Sequence, residues 1–273
     1  MLNKTLLYVA LAFVAFVAMF PFWWMLVAST RTADTILTLP PPLWPGDALG
    51  KNLDVLFSSI PYLLDLLNSI FVGASYTVLT LFFCSLGGYA FAKFKFAGRD
   101  RLFALVLITL MIPTVLGLIP SYVLMRWFGW LDTWYPLIIP GAASAFGIFW
   151  MRQYIAGAMP DELIDAARID GAGEFRIYWN IVLPVIKPAL GALAIFSFLV
   201  KWSEFLWPLL ILKDPNKYTL PVAIASLQNR GSSEELGVII LAATMAILPV
   251  LIVFIFASRK FIAGLTIGAV KGG

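Results

Sequence analysis

Long uncharged, apolar intervals alternate along the chain with short stretches rich in charge or proline. The uncharged intervals are 5–30, 66–92, 102–125, 133–151 and 236–258. At 1.5 Å per helical residue, about 20 residues cover a hydrocarbon core of about 30 Å, so each interval is long enough to cross a bilayer. A sixth, 188–212, is as apolar but contains Lys201 and Glu204. The pattern predicts an all-α membrane protein with six transmembrane helices in a single domain over 1–273. The spans fall near 6–29, 66–92, 102–125, 133–151, 188–212 and 236–258. The first is too long for the apolar core of a signal peptide and reads as a retained span.

Direction follows from the basic residues. Of the 19 Lys and Arg, twelve lie in one set of alternate loops, six in the other, and Lys201 lies inside a span. The positive-inside tendency puts both termini and the segment 152–187 on the cytoplasmic side. On the other side "TLPPPLWPG" (38–46) reads as a stiff extended segment, and Trp44, Trp127, Trp130 and Trp134 as an interfacial belt.

Composition narrows the chemistry. Apolar residues make up 61% of the chain and charged ones 12%, against about 25% charged in soluble domains. The net charge of +4 reflects basic residues flanking spans, so a nucleic-acid partner is not expected. There is no His, and Cys84 is the only cysteine. That excludes an intrachain disulfide and His-based metal or triad chemistry.

Against this background "MPDELIDAARIDGAGEFRIYWNIVLPVIKPAL" (159–190) stands out, with five acids between Asp161 and Glu174. Pro160, Asp161 and Glu162 suit a helix start. The helix should run to about Asp170 and end at Gly171 and Gly173, with a second beginning near Glu174. Pro184 and Pro188 should bound the entry to the fifth span. Glu162 and Asp165 share a face, and Ala166 with Ala167 makes a thin knob able to enter a partner's groove. The plainer alternative is a solvated helix with no partner.

The spacing Asp165-Ala166-Ala167, three residues, Gly171, nine residues, Ile181, one residue, Leu183-Pro184 resembles the cytoplasmic-loop motif of permease subunits of bacterial ABC importers, with Asp in place of that motif's Glu. "LNSIFV", "KWSEFLWPLL", "YTLPVAIASL" and the C-terminal "FIAGLTIGAVKGG" look like the carbohydrate branch, in particular the second permease of maltose-type importers. The resemblance implies a multi-pass inner-membrane subunit with a partner permease, two ATPase subunits and an external solute-binding protein. It implies ATPase coupling at Glu162, Asp165, Ala166, Ala167, Gly171, Leu183 and Pro184. The chain lacks a GxxxxGK[ST] loop, so no cofactor or enzymatic activity is expected in it, and ATP with Mg belongs on the partner ATPases.

Lys201 lies about 20 Å along a helix starting at Pro188, near the bilayer centre, with Glu204 at i+3 as partner. Trp202 and Trp207 are able to stack on sugar faces and Ser203 to bond a hydroxyl, which makes Lys201 to Trp207 a candidate translocation path. The alternative is an internal ion pair that never meets solute. The segment Lys213–Glu235 reads as an outer loop whose Gln228, Asn229, Arg230, Gly231 and Ser232 meet the binding protein, or else as a plain connector. The tail from Thr266 is expected on an ATPase surface or free. The leading function is carbohydrate import. Alternatives are import of a polyol phosphate such as glycerol 3-phosphate, or ATP-independent secondary transport, which needs no docking elbow.

Overall fold

The computed structural model describes residues 4–228 and 236–269, with side chains in the last helix as far as residue 252. All described secondary structure is helical. In chain order the helices are α1 (Lys4–Ser29), α2 (Ala33–Ile36), α3 (Leu49–Ser59), α4 (Tyr62–Lys93), α5 (Arg99–Leu110), α6 (Leu118–Trp127), α7 (Tyr135–Ile138) and α8 (Ala145–Ala158). They continue with α9 (Asp161–Ile169), α10 (Glu174–Ile177), α11 (Leu183–Trp202), α12 (Leu206–Ile211), α13 (Leu220–Leu227) and α14 (Leu236–Ala269).

The expected six spans are not found. Among the described residues three helices are long and apolar enough to cross a membrane: Lys4–Ser29, Tyr62–Lys93 and Glu174–Trp202. A fourth is reached only by counting α5 and Thr114–Trp127, which meet at 95°, as one broken span. Backbone chemistry explains two of the shortfalls. Pro113 has no N–H to continue α5, and proline disfavours helical geometry in the residue before it, so the expected 102–125 span turns sharply there. Pro140 and Gly141 separate α7 from α8, which breaks the expected 133–151 span.

The fifth span also differs from expectation. Pro184 and Pro188 do not bound its entry, because helix continues from Glu174 to Trp202 through π-helical Tyr178–Val182. Pro184 cannot donate to the Asn180 carbonyl, and the wider i→i+5 bonding of the π stretch lies where that bond is missing. At the other end α11 stops at Trp202 and helix resumes only at Leu206.

The chain divides into two compact units, one from Met1–Leu66 with Thr219–Leu251 and one from Leu67–Tyr218 with Ile252–Gly273. In the first, Asn52 donates to the Ser29 carbonyl at 2.9 Å and the Arg31 carbonyl at 3.0 Å. Tyr62 Oη donates to the Ala242 carbonyl at 3.3 Å. Part of the expected outer loop is here the helix α13, with Leu220, Val222, Ala223 and Leu227 buried.

The second unit is built along α4. Its core joins Cys84 and Tyr89 of α4 to Met151 and Ile155 of α8, Ile164 of α9 and Ile186, Ala189 and Leu193 of α11. Small residues let the helices approach: a Cβ on Gly88 would stand 2.5 Å from Met151 Cβ and 2.8 Å from the Arg152 amide nitrogen. Away from this core, Asp132 ties two loops together at a φ of 57°. Its carboxylate accepts from the Lys213 amide at 2.9 Å, the Asp214 amide at 3.0 Å and Lys217 Nζ at 2.9 Å. The Asp214 amide, then Lys217, holds its carboxyl down at about 2.

Two expectations follow from this packing. Gly88→Ala should lower the melting temperature of the purified protein, because overpacking against backbone costs about 1–3 kcal/mol. Gly87→Ala should be close to neutral, since its Cβ would meet only the Ile148 side chain, nearest at Cγ1 at 3.3 Å, and alanine gains about 1 kcal/mol of helix propensity over glycine. Equal melting shifts for the two would refute the close-approach reading. Because the folded carboxyl of Asp132 titrates below its ordinary value, its stabilisation is complete above the unfolded value of about 4. It is lost as pH falls through about 2. Hydrogen-exchange protection of the Lys213 and Asp214 amides, corrected for intrinsic rates, should therefore persist at mildly acidic pH and fail only near pH 2.

Candidate functional site

The 159–190 stretch folds as a helix-turn-helix elbow. Helix α9 ends in a Schellman turn: the Ala172 amide donates to the Ala167 carbonyl and the Gly171 amide to the Arg168 carbonyl, both at 3.0 Å. That turn puts Gly171 at φ +78°, a conformation glycine adopts without strain, and no atom lies within 4 Å of where its Cβ would stand. Gly173 then caps α10.

Helix α9 has two unlike faces. Ile164 and Ala167, three residues apart, are buried in the core with Met151, Ile155, Ile177 and Val182. Glu162, Asp165, Ala166 and Ile169, at i, i+3, i+4 and i+7, are exposed together. The expected two-alanine knob is therefore corrected: Ala166 faces outward and Ala167 is a packing residue. Ile169 is 86% exposed and Phe175 67%. Sequence reasoning missed both as surface residues, although the 162, 165, 166, 169 periodicity pointed to Ile169. The remaining motif residues divide similarly, with Ile181 and Leu183 packed against the core and Pro184 exposed.

Ion pairs hold α9 at both ends. Lys93, the last residue of α4, has only 6% of its side chain exposed. Its ammonium donates to the Met159 carbonyl at 2.5 Å and to Asp161 Oδ1. The Lys93 hydrogen bond holds the Asp161 carboxyl below the usual carboxylate range. At the other end Arg168 donates through Nε to Glu174 Oε1 at 2.7 Å and through Nη1 to Asp165 Oδ1 at 3.0 Å. Tyr89 Oη of α4 donates to Glu174 Oε2 at 3.0 Å. Lys93 and Tyr89 had no signal in the sequence beyond lying near a span end, and Glu174, expected as the start of the second helix, had none for its partners Arg168 and Tyr89.

The second candidate site lies where α11 ends. Lys201 Nζ donates to Glu204 Oε2 at 2.7 Å and stands 4.7 Å above the centre of the Tyr76 ring. The predicted pair is thus brought together, and Tyr76, which sequence spacing does not reveal, completes it. Trp202 is buried and stacked on Phe198 with ring centres 5.5 Å apart. Ser203 Oγ donates to the Leu199 carbonyl at 2.8 Å, and Trp207 Nε1 to the Pro136 carbonyl at 3.1 Å. Gln228 is exposed at the end of α13, while Asn229, Arg230, Gly231 and Ser232 lie outside the described residues, as do Val270 to Gly273 of the tail.

Comparison with known proteins gives this arrangement a context. Residues 84–265 match the family model described as binding-protein-dependent transport system inner membrane component. The arabinooligosaccharides transport system permease protein of Halalkalibacterium halodurans is 38% identical over 270 residues, covering 98% of this chain and 96% of that protein. The lactose transport system permease protein of Rhizobium radiobacter is 35% identical over 264 residues, covering 97% and 95%. A chain in the crystal structure of a bacterial ABC transporter involved in import of the acidic polysaccharide alginate has the same fold, with a TM-score of 0.82 and 25% identity over 94% of this chain and 96% of that one. The family is one of transport permeases rather than enzymes, and its match includes α9 and the Lys93, Arg168 and Glu174 pairs that hold it. This chain belongs to the inner-membrane components of binding-protein-dependent transport systems.

Proposed function

We propose that the chain is a permease subunit of an ATP-driven carbohydrate importer, and that the elbow is its ATPase-docking surface. One observation carries the reading: Glu162, Asp165, Ala166 and Ile169 form an exposed face on a helix whose opposite face is core and whose ends are tied to α4 and α10. Such a helix passes an applied load to the rest of its unit instead of bending away. The arabinooligosaccharide and lactose relatives favour a sugar as solute. On this reading the elbow and both termini are cytoplasmic, and ATP with Mg is bound on two separate ATPase subunits.

On this reading a second permease completes the pore, and the resemblance of the tail to the maltose-type branch supports the role of second permease for this chain. Lys201, Ser203 and Glu204 line the translocation path, with Ser203 exposed and Glu204 keeping 27% of its side chain exposed. Trp202 and Trp207, engaged with Phe198 and Pro136, form its wall. The segment from Gln228 to Ser232 meets the external binding protein.

The test uses the assembled importer with its ATPases and binding protein in liposomes. Gly171→Val should weaken ATPase docking and abolish solute-stimulated hydrolysis, whereas Gly171→Asn, able to adopt the left-handed turn, should retain more of both. Intact docking and full stimulation in the valine variant would remove the elbow from the mechanism. A second variant separates docking from transmission. Lys93→Met should leave basal hydrolysis unchanged but reduce solute stimulation about tenfold, the scale of a lost charged hydrogen bond, and Lys93→Arg should recover part of it.

A further inference from the structure

The connection between α4 and α5 carries a cationic cavity beside the elbow. Lys95, Phe96, Gly98, Arg99, Asp100 and Arg101 line about 620 Å³. The only acid among them, Asp100, accepts from Arg99 Nε at 2.9 Å. Lys95 and Arg101 are exposed, and their side chains make no hydrogen bond or salt bridge among the described residues. Lys95 also borders the elbow, where Asp161, Asp165 and Glu174 stand with Lys93 and Arg168, but within this cavity's own lining three cations stand against one carboxylate. At Gly98, no atom lies within 4 Å of where a Cβ would stand, so the chain does not close the cavity there.

What surrounds the charge narrows the ligand. Phe96 is 43% exposed at the rim. From the rim runs α5, none of whose residues is buried, with Leu102 at 48%, Leu105 at 58% and Ile108 at 53% exposure in steps of three along the helix. Helix α5 is also the first arm of the bent pair that counts as a broken span. A free phosphate would match the cations and ignore the apolar stripe, and an aliphatic ligand would do the reverse. An amphiphile with an anionic head and acyl tail matches both, and juxtamembrane basic clusters attract anionic lipids.

We propose that this cavity is a binding site for an anionic phospholipid. The phosphodiester sits among Lys95, Arg99 and Arg101, and an acyl chain lies along Leu102, Leu105 and Ile108. Phosphatidylglycerol is the simplest lipid with that chemistry. The site does not depend on which solute the protein carries, and its test reads lipid occupancy rather than transport.

Native mass spectrometry of the assembled importer in detergent, offered phosphatidylglycerol or phosphatidylcholine with the same acyl chains, provides the measurement. Wild-type protein should retain phosphatidylglycerol in preference to phosphatidylcholine. The double variant Lys95→Gln/Arg101→Gln should lose roughly thirty-fold of that affinity, about 2 kcal/mol at two basic contacts of about 1 kcal/mol each. Charge-conserving Lys95→Arg/Arg101→Lys should keep it. Both side chains are exposed, and an unchanged melting temperature would show that the double variant is folded. Equal retention of the two lipids by the wild type overturns the proposal without any variant. Undiminished phosphatidylglycerol retention in the double variant, or its displacement by inorganic phosphate at matched concentration, overturns it as well.

Discussion

A lysine ammonium with 6% of its side chain exposed must find its partners inside the protein, and Lys93 finds them in the backbone and side chain that begin the elbow. Neither the Met159 carbonyl nor Asp161 is able to leave without depriving that largely covered ammonium of a partner. The start of α9 is thereby fixed to the end of α4. Once that end is fixed, burial of Ile164 and Ala167 sets the rotation of the helix, and the faces bearing Glu162, Asp165, Ala166 and Ile169 have only one direction left to point. Arg168 and Glu174 repeat the arrangement at the other end. The outward surface is therefore a consequence of inward constraints.

The elbow was legible in the sequence because its determinants are local. A proline before two acids, a run of nine helical residues and a glycine at the left-handed C′ position specify a short helix and its stop within a dozen residues. Individual faces were less legible. Ala166 and Ala167 are the same residue type, and only the three-residue step from buried Ile164 tells them apart. The number of crossings was misread for a different reason. Apolar length licenses a span, but the backbone must also continue through it, and Pro113 and the Pro140-Gly141 pair stop it where hydropathy stays high. Pro184 and Pro188 show the opposite outcome, with helix continuing past both beside a π stretch. Whether a proline breaks or merely deforms a helix depends on what re-satisfies the freed carbonyl, which single-sequence patterns do not encode.

Partners distant in sequence were invisible for the same reason. Tyr76 lies under Lys201 across 125 positions, and Tyr89 reaches Glu174 across 85. Lys201 was recognisable as costly and Glu204 as its local answer, because an i, i+3 pair is written in the spacing. The aromatic ring that shares the ammonium became apparent only once α4 and α11 were set side by side.

The two candidate sites stand at opposite ends of one helical rod. Glu174, bonded to α9, opens the continuous stretch that closes at Trp202, next to Lys201. Its 29 residues give a length of roughly 44 Å at 1.5 Å per residue. A tilt of about 5° at the Glu174 end then carries the Lys201 end about 4 Å, near the rise of three helical residues. Lys201 rests on Tyr76 of a different helix, α4, and α4 is held to the elbow by Lys93. On the proposed function, a rotation of α9 would pull on both members of the contact through separate linkages, one through Glu174 and one through Lys93. The relative position of ammonium and ring changes only if the two respond unequally. The π stretch, present in the rod of α10 and α11 and absent from α4, is the structural difference between them, because its wider turn weakens the regular i→i+4 ladder. Unequal stiffness of the two helices is what would turn a common load into a displacement at the polar pair.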